Sequence, residues 1–418
     1  MLTSRYPLEP TAETDMAHVV FLMHWEAGHL LCTFKAAQDL VSRGHRVTYA
    51  TIPDLAGLVA GYGFAVVTIL ELAFPPGSRE KRGVADRRRL RAQRLALHRA
   101  ARAELVERRI QSISPDLVLV DRVQDQYFRS LNMRGISAAL VTTSLPDERE
   151  GGLPPVTSSL VPTGSLRVRL ATQLSWARVF VQRWWEYLSR RRPMLPPRLC
   201  RDYPEIVLCA EQFDFRRPKR ARRYYVGPGI ATQRPPQHFP WDAVDPNAKL
   251  IYCSLGTEAQ RYYGREQVLR IVAAAVGGRC NRFLVITAEE RVRRVLGKLP
   301  QNILVVDYAP QLELLRRAHV AICHAGLGTV KESILCGVPL LVFPQAFDQW
   351  GNAARVEYHG LGIRASGLSS PAGICALIDR LLADSTIHAN VRRMQAVFQR
   401  SQAEDGAVRV IEEWLSGS

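Results

Sequence analysis

The sequence predicts an α/β protein with two domains, each built around a parallel β-sheet. Its 418 residues are too many for one ordinary hydrophobic core and match two domains of about 200 residues each. Both halves of the chain contain apolar, strand-like runs that alternate with helical patterns and short connections. That alternation is typical of parallel sheets, in which the functional loops lie at the carboxyl ends of the strands.

The N-terminal half begins with a strand, a loop and a helix. The apolar run at residues 18–23 is followed by a loop at residues 24–29 that contains His29, and a helical pattern then covers residues 30–42. Further strands are predicted at residues 47–52, 64–69, 117–121, 136–141 and 205–209. One of these ends in Asp121, and an acid at this end of a parallel strand is in position for chemistry.

Two longer helical patterns lie between the later strands of this half. Residues 90–113 predict an amphipathic helix with an arginine-rich outer face, which we interpret as an ordinary surface helix, with membrane docking as the alternative. Residues 166–190 predict a second helix that carries three tryptophans. A loop rich in proline and glycine, residues 144–165, precedes it.

A proline-rich linker separates the two halves. Residues 229–248 contain four prolines and follow neither helical nor strand periodicity. The predicted domains are therefore residues 17–228 and 249–400. We expect a disordered leader at residues 1–16 and a C-terminal helix, within residues 401–418, that packs back on the N-terminal domain.

The C-terminal half repeats the alternation of strands and helices. Its strands are predicted at residues 250–254, 283–287, 303–306, 319–323 and 338–343, and its helices at residues 266–276, 371–382, 387–397 and 407–415. A turn containing His324, Gly326, Gly328 and Thr329 joins the fourth of these strands to a helix. Glycines let the backbone approach an anion, and the first helical N–H groups are unpaired, so the turn predicts a phosphate site. A plain strand-to-helix connection is the alternative at this point.

The charge of the chain is the one unusual feature of its composition. Apolar residues make up 47% and charged residues 23%, which is ordinary, but the net charge is +17. Arginine runs at residues 79–109, 190–192 and 216–223 carry most of the excess. We interpret them as solvated surface, with an anionic membrane as the alternative. Nucleic acid is disfavoured because the runs lack interleaved aromatic residues.

The cysteines and the hydropathy pattern predict a cytoplasmic protein. Eight scattered cysteines form no C-x-x-C pair, which favours a reducing compartment and argues against a zinc site. No apolar run reaches the roughly 18 residues that span a bilayer, and the N-terminus lacks the apolar core of a secretory signal. Peripheral attachment to a membrane is left open.

Several motifs occur in a fixed order and spacing. The most specific are Tyr308-Ala309-Pro310-Gln311, His324-Ala325-Gly326-Leu327-Gly328-Thr329, Glu332, Gly337-Val338-Pro339 and Asp348-Gln349; weaker matches are Gly28-His29, Asp121 and Ser254-Leu255-Gly256-Thr257. Together they resemble the signature of the family-1, UDP-glycosyltransferase-like enzymes of the bacterial natural-product type. The resemblance implies the GT-B fold, in which two Rossmann-like domains with parallel sheets face each other across a cleft.

The resemblance implies a nucleotide-sugar site in the C-terminal domain. The pyrophosphate would be held by His324, Gly326, Gly328 and Thr329, and from the opposing loop by Ser254, Gly256 and Thr257. Glu332 would bind the ribose hydroxyls, and Tyr308 would stack on the base next to Ala309 and Gln311. Asp348 and Gln349 would bind hydroxyls of the sugar.

The resemblance also implies the chemistry. His29 would be the general base for the acceptor hydroxyl, as a neutral imidazole near pH 7, and Asp121 would fix its tautomer and stabilise its charged form. The attack would invert the configuration at the anomeric carbon. No D-x-D motif occurs, which agrees with transfer that needs neither a metal nor a cofactor. The N-terminal domain would bind an apolar, hydroxyl-bearing acceptor near Trp25 and Ser144.

Three alternatives to a soluble natural-product transferase are left open, and so is a homodimer. One is a lipid glycosyltransferase on anionic membranes, another a nucleotide-sugar epimerase of the same fold, and the third a non-enzymatic nucleotide- or nucleic-acid-binding protein.

The sequence also departs from the family pattern. Thr33 replaces a proline and puts the start of the first helix in doubt, and Tyr308 replaces the tryptophan of plant members. Lys331 replaces an apolar residue next to Glu332. At this position it is predicted either to pair with Glu332 or to approach the donor phosphates.

Overall fold

The structure is a computed structural model that describes residues 16–78, 93, 96–97, 100, 104–188, 203–256, 264–366 and 369–417. Among these residues the strands are β1 His18–Leu22, β2 Arg46–Thr51, β3 Ala65–Thr68, β4 Leu117–Asp121, β5 Ala138–Thr142, β6 Glu205–Val207, β7 Arg223–Tyr225, β8 Lys249–Ser254, β9 Arg282–Thr287, β10 Ile303–Val306, β11 Val320–Cys323, β12 Leu340–Val342 and β13 Gly362–Arg364.

The helices of the described residues alternate with these strands. They are α1 Ala27–Leu31, α2 Phe34–Ser42, α3 Pro53–Ala60, α4 Leu105–Gln111, α5 Asp125–Met133, α6 Leu166–Leu188, α7 Arg265–Val276, α8 Glu290–Leu296, α9 Gln311–Arg317, α10 Leu327–Leu335, α11 Gln349–Tyr358, α12 Pro371–Ala383, α13 Ser385–Ala403 and α14 Gly406–Leu415. None of these helices is both long and apolar enough to cross a bilayer.

The strands form two separate parallel sheets, as predicted. Over the described residues the first sheet has the order β3-β2-β1-β4-β5-β6-β7 and the second the order β10-β9-β8-β11-β12-β13. Each sheet has its own hydrophobic core, made of the buried strand residues and the apolar faces of the helices around them. The first sheet ends at Tyr225 and the second begins at Lys249, on either side of the proline-rich segment.

The prediction for the first helix is wrong in one respect that concerns the site. His29 lies inside the short helix α1, whereas a loop was expected at residues 24–29. The helix stops after Leu31 and a second one begins at Phe34. The buried Thr33 accounts for this break, because its hydroxyl donates to Leu30 O at 2.7 Å and contacts the Tyr49 hydroxyl at 2.8 Å.

The arginine run at residues 216–223 is only partly solvated surface: Arg216 and Arg222 are exposed, whereas that interpretation is wrong for Arg217, Arg220 and Arg223. Arg223 donates to both oxygens of Glu148, at 2.7 and 2.6 Å, and to Glu205 at 2.7 Å. Arg217 donates to Asp214 at 2.7 Å. These arginines pair with buried carboxylates of the same chain. Such pairing is required because a buried charge without a partner is costly. Most of the run at 79–109, and all of 190–192, lies outside the described residues.

Ion pairs and hydrogen bonds also connect the two halves of the chain. The buried Asp214 accepts from Arg355 of α11 at 2.8 and 2.6 Å. Lys35 of α2 pairs with Asp405 at 3.0 Å, next to the start of α14. The apolar face of α14 belongs to the core of the first sheet, to which it contributes Ala407, Val408, Val410 and Ile411.

Candidate active site

A cleft of about 1810 Å³ lies between the two sheets and is lined by residues that follow strands of both. The predicted site residues on its walls are Trp25, His29, Asp121, Ser144, Ser254, Gly256, Tyr308, Ala309, Gln311, His324, Gly326, Gly328, Thr329, Glu332, Asp348 and Gln349. Thr257 lies outside the described residues. The fold therefore brings together residues that are far apart in the sequence.

His29 and Asp121 form a hydrogen-bonded pair on the N-terminal side of the cleft. β1 and β4 are neighbours in the sheet, with Leu22 opposite Val120, so the segments after these strands start side by side. As a result His29 Nδ1 lies 2.7 Å from Asp121 Oδ2. The carboxylate fixes the orientation of the imidazole ring.

The Asp121 carboxylate is itself held in place by backbone groups. It is fully buried and accepts from the backbone N–H groups of His24 at 3.2 Å and Val123 at 3.0 Å. The hydroxyl of Thr143, which follows the neighbouring strand β5, lies 2.8 Å from His29 Nδ1. We assign the proton of the neutral imidazole to Nδ1, because a carboxylate can only accept. This assignment leaves Nε2 as the basic nitrogen.

The electrostatics of the pair favour the ion pair over the neutral pair. Burial alone lowers the pKa of His29, but the charge and hydrogen bond of Asp121 outweigh it and raise this pKa to about 9. Burial likewise raises the pKa of Asp121, and the nearby His29 more than offsets that effect, so the net direction is downward. The pair therefore favours the charged form of the imidazole, whereas the base predicted from the sequence is neutral near pH 7.

His324 fills a slot between two glycines on the opposite wall. β8 and β11 are neighbours, with Ser254 opposite Cys323, so the two turns that follow them are in contact. A Cβ atom on Gly256 would lie 2.4 Å from His324 Cε1, and one on Gly326 would lie 2.4 Å from His324 Nε2. Burial lowers the pKa of His324 to about 4, so the ring is neutral at pH 7. These two glycines are thus required by the histidine ring.

The turn after His324 presents the start of α10 to the cleft. Ala325 has a φ of +64°, a left-handed conformation that costs an alanine about 1–2 kcal/mol, and Asn352 donates to its carbonyl at 3.0 Å. A Cβ atom on Gly328 would meet nothing within 4 Å. Gly328 and Thr329 line the cleft in the first turn of α10, where free N–H groups and the helix dipole favour an anion.

Glu332 has two partners, and neither contact was predicted from the sequence. Gln311 donates to Glu332 Oε2 at 2.9 Å, and Arg234 donates to Oε1 at 2.6 Å. Arg234 belongs to the segment interpreted as a linker, where only the pairing across the cleft reveals its role. Tyr308 lies close by and is 61% exposed, so one face of its ring is accessible.

Asp348 and Gln349 stand at the start of α11. Asp348 accepts from Asn352 at 3.1 Å, and its charge acts on His29, so the two walls meet here. Burial raises the pKa of Asp348. The carbonyl oxygen of the Gln349 side chain accepts from the backbone N–H groups of Gln345 and Ala346, which leaves its amide NH₂ as the donor.

Lys331 lines the cleft but does not pair with Glu332, so that prediction is wrong, and its ammonium group is directed to the N-terminal half. Its side chain is 1% exposed and donates to two carbonyl oxygens of the N-terminal half, Leu208 O at 2.8 Å and Pro228 O at 2.6 Å. The lysine therefore ties α10 to the first sheet. An apolar side chain at this position would leave those two buried carbonyls without their donor.

One group in the described residues has donor atoms close enough to share a metal ion. Ligand atoms of His24, Glu26 and His29 lie within 4.8 Å of one another. The rings of His24 and His29 are 4.9 Å apart, and Trp25 packs between His24 and Phe74. Transfer without a metal stays a prediction.

Comparisons with known proteins agree with this architecture. Residues 271–405 match the family model described as "Erythromycin biosynthesis protein CIII-like, C-terminal domain". The chain is 25% identical to zeaxanthin glucosyltransferase of Pantoea ananas, over 95% of this chain and 96% of the relative. It is 28% identical to oleandomycin glycosyltransferase of Streptomyces antibioticus, over 96% of this chain and 90% of the relative.

Solved structures show the same fold. The glycosyltransferase of kitacinnamycin aligns with a TM-score of 0.69 at 21% identity, over 96% of this chain and 99% of the other. CalG4, the calicheamicin glycosyltransferase, aligns with a TM-score of 0.67 at 23% identity and the same coverage.

The two parallel-sheet domains, the cleft and these matches define the class of the protein, a glycosyltransferase with the GT-B fold. Within that class, the matches support a bacterial family-1 glycosyltransferase of the natural-product type. The epimerase and the non-enzymatic alternatives are therefore set aside.

Proposed function

We propose that the protein transfers a sugar from a UDP- or dTDP-sugar to a hydroxyl of an apolar small-molecule acceptor, with inversion and without a metal. The observation that carries this proposal is the His29–Asp121 pair, which faces Asp348 across the cleft. The proposed general base and the proposed sugar-binding acid thus lie on opposite walls of one site.

In the proposed reaction His29 removes the proton of the acceptor. Nε2 takes the proton as the acceptor oxygen forms a bond to the anomeric carbon of the sugar, and the imidazolium that results is stabilised by Asp121. The bond from that carbon to the diphosphate oxygen breaks, and the nucleoside diphosphate leaves with the electron pair. Because attack comes from the face opposite the leaving group, an α-linked donor gives a β-glycoside.

The leaving diphosphate is stabilised by the opposite wall. The first turn of α10 offers the backbone N–H groups of Gly328 and Thr329, and His324 adds a neutral ring with a hydrogen-bond donor. Ser254, from the adjacent turn, adds a hydroxyl. These groups neutralise developing charge by fixed dipoles and hydrogen bonds.

The donor is recognised at its sugar, ribose and base. Asp348 and the Gln349 amide bind hydroxyls of the transferred sugar, Glu332 binds the ribose, and the base stacks on Tyr308. Arg234 holds Glu332 in position and adds positive charge near the diphosphate. A solved neighbour, the spinosyn rhamnosyltransferase SpnG, holds thymidine diphosphate, which supports a dTDP-sugar as one candidate donor.

The acceptor enters from the N-terminal side. Trp25 and Ser144 line the cleft there, and so does Val179 of α6. This wall is suited to an apolar molecule that carries a hydroxyl. The spinosyn rhamnosyltransferase SpnG has also been solved with spinosyn aglycone. Curated relatives are named for zeaxanthin and oleandomycin. Both observations support an acceptor of natural-product type.

Two measurements on the purified protein test this proposal. A panel of UDP- and dTDP-sugars is screened by thermal shift, and the stabilising donor is then incubated with apolar alcohols, with and without a chelator. We expect stabilisation by at least one donor, a product of inverted anomeric configuration by NMR, and no effect of the chelator. A product that retains the configuration, or a rate abolished by the chelator, would contradict the proposal.

A further inference from the structure

The outer face of α6 is apolar and exposed over nearly its whole length. The helix has 23 residues, so it is about 34 Å long. Its large exposed apolar side chains, between 54% and 72% accessible, are Leu166, Leu170, Leu174, Phe180, Val181, Trp184 and Trp185. At about 100° per residue these side chains fall within an arc of about 140° and form a stripe interrupted by the exposed Gln173, which we call the outer stripe.

The opposite side of the same helix is fixed to the protein. Trp176 is buried and donates from its indole N–H to Leu153 O at 2.8 Å, and Thr172 is buried next to it. Val179 and Gln182 line the cleft. The outer stripe therefore points away from the body of the protein, and it cannot turn inward without loss of these contacts.

Along residues 166–185, the charged residues of α6 all carry positive charge. Exposed arginines lie along both of its margins, Arg167 and Arg178 on one side and Arg169 on the other. The one acid in the sequence of this helix is Glu186, which follows the last residue of the outer stripe. An apolar face with tryptophans, bordered by arginines, is the pattern of helices that lie in the interface of an anionic bilayer.

A second copy of the chain fits this surface less well. In a symmetric dimer the same face would meet itself, so the arginine margins of the two copies would lie next to each other. Like charges in such an interface oppose association. An anionic lipid surface has the complementary charge and also accepts the apolar side chains.

We propose that the outer stripe of α6 docks the protein on an anionic membrane surface. The helix lies parallel to the surface, with its leucines and aromatic rings among the acyl chains and its arginines at the headgroups. Because the inner side of α6 lines the cleft, docking places the acceptor side of the site next to the bilayer. This inference concerns attachment only and does not depend on the role proposed for His29.

The test is a vesicle flotation assay with the full chain. Vesicles of phosphatidylcholine with phosphatidylglycerol are compared with vesicles of phosphatidylcholine alone, at low and high salt. We expect binding to the anionic vesicles, a weaker interaction at high salt, and a blue shift of tryptophan emission that Trp184→Phe reduces. Absence of binding to anionic vesicles would overturn the proposal.

A matched pair of variants distinguishes membrane binding through the outer stripe from nonspecific hydrophobic adsorption. Leu170→Ser combined with Leu174→Ser should reduce the bound fraction about tenfold or more, because both side chains leave the apolar stripe. Leu72→Ser, at an exposed leucine elsewhere in the chain, should leave binding unchanged. Thermal unfolding checks that the variants fold. Equal binding of all three proteins, or an apolar contact that instead holds a dimer together in solution, would overturn the proposal.

Discussion

Arg234 Nη2 donates to Glu332 Oε1 at 2.6 Å and thereby joins the proline-rich segment to α10. Glu332 is the residue proposed to bind the ribose, and Gln311 occupies its other oxygen. The geometry of the carboxylate is therefore set before a nucleotide arrives.

The first prediction concerns this pair. Arg234→Ala should raise KM for the nucleotide sugar about tenfold and change kcat little, because it removes a charge-assisted hydrogen bond and a positive charge near an anionic substrate. Arg43→Ala is the matched control, since Arg43 pairs with Glu412 outside the cleft. Steady-state kinetics with varied donor would measure both, and an equal change in the two variants would argue against a role in donor binding.

The slot around His324 gives a second prediction. Gly256 and Gly264 have nearly the same φ, +87° and +86°, but a Cβ atom at 256 would collide with the His324 ring, whereas one at 264 would meet nothing within 4 Å. Alanine should therefore strain the backbone similarly at both positions, by about 1–2 kcal/mol. Only Gly256→Ala should also weaken donor binding, by about tenfold or more in calorimetry. Comparable affinity of the two variants for the donor would contradict the proposed role of His324 in donor binding.

The third prediction is a pH dependence. His29 must be neutral to act as a base, and its pKa is raised to about 9, so kcat/KM should increase about tenfold per pH unit below that value and level off above it. Asp121→Asn removes the largest raising influence on the pKa of His29, so that burial, which lowers this pKa, is opposed only by Glu26 and Asp348. The inflection should then move to a lower pH and the plateau should fall about 100-fold or more. A pH profile of kcat/KM that is unchanged by Asp121→Asn would rule out the coupling between His29 and Asp121.

The fourth prediction concerns the contact between the two halves. Asp214 and Arg355 are both about 1% exposed, and the arginine also stacks on Phe215. Asp214→Ala leaves a buried unpaired cation and should lower the free energy of unfolding by about 3–5 kcal/mol, measured with denaturant. Glu290→Ala, at the exposed pair with Arg294, should change it by less than about 0.5 kcal/mol.

The pH dependence of this contact has a definite sign. The pKa of Asp214 is lowered because the charges of Arg355 and Arg217 outweigh the effect of burial. Its contribution to stability is therefore present above the ordinary carboxyl pKa and is lost as the pH falls toward the lowered value. Acid titration of the Asp214→Ala variant should lack this component.

Most strands were predictable because parallel strands buried on both faces are continuous apolar runs, whereas the short edge strands β7 and β13 were missed. β4 and β10, for example, have the predicted bounds. Helices with mixed faces were harder, so α5 and α11 were missed, although Gln349 at the start of α11 was assigned to the site. Local spacing carries no information on a contact made across the cleft.

The same reason explains the functional residues that the sequence did not reveal. Arg234 lies in a segment without periodicity, and Thr143 is an ordinary residue after β5 until its distance to His29 is known. Lys331 was expected to pair with Glu332 or to approach the donor phosphates. On a helix, adjacent residues point about 100° apart, and Lys331 instead faces the first sheet.

The most direct test of the account is the transfer rate of His29→Ala compared with the affinity of the same variant for the donor. We expect kcat to fall by about 100- to 10,000-fold, since the general base is lost, while the dissociation constant for the nucleotide sugar changes by less than about threefold. The opposite wall of the cleft, with His324 and Glu332, is untouched by the substitution. A variant that transfers sugar at nearly the original rate would contradict the central claim that His29 activates the acceptor.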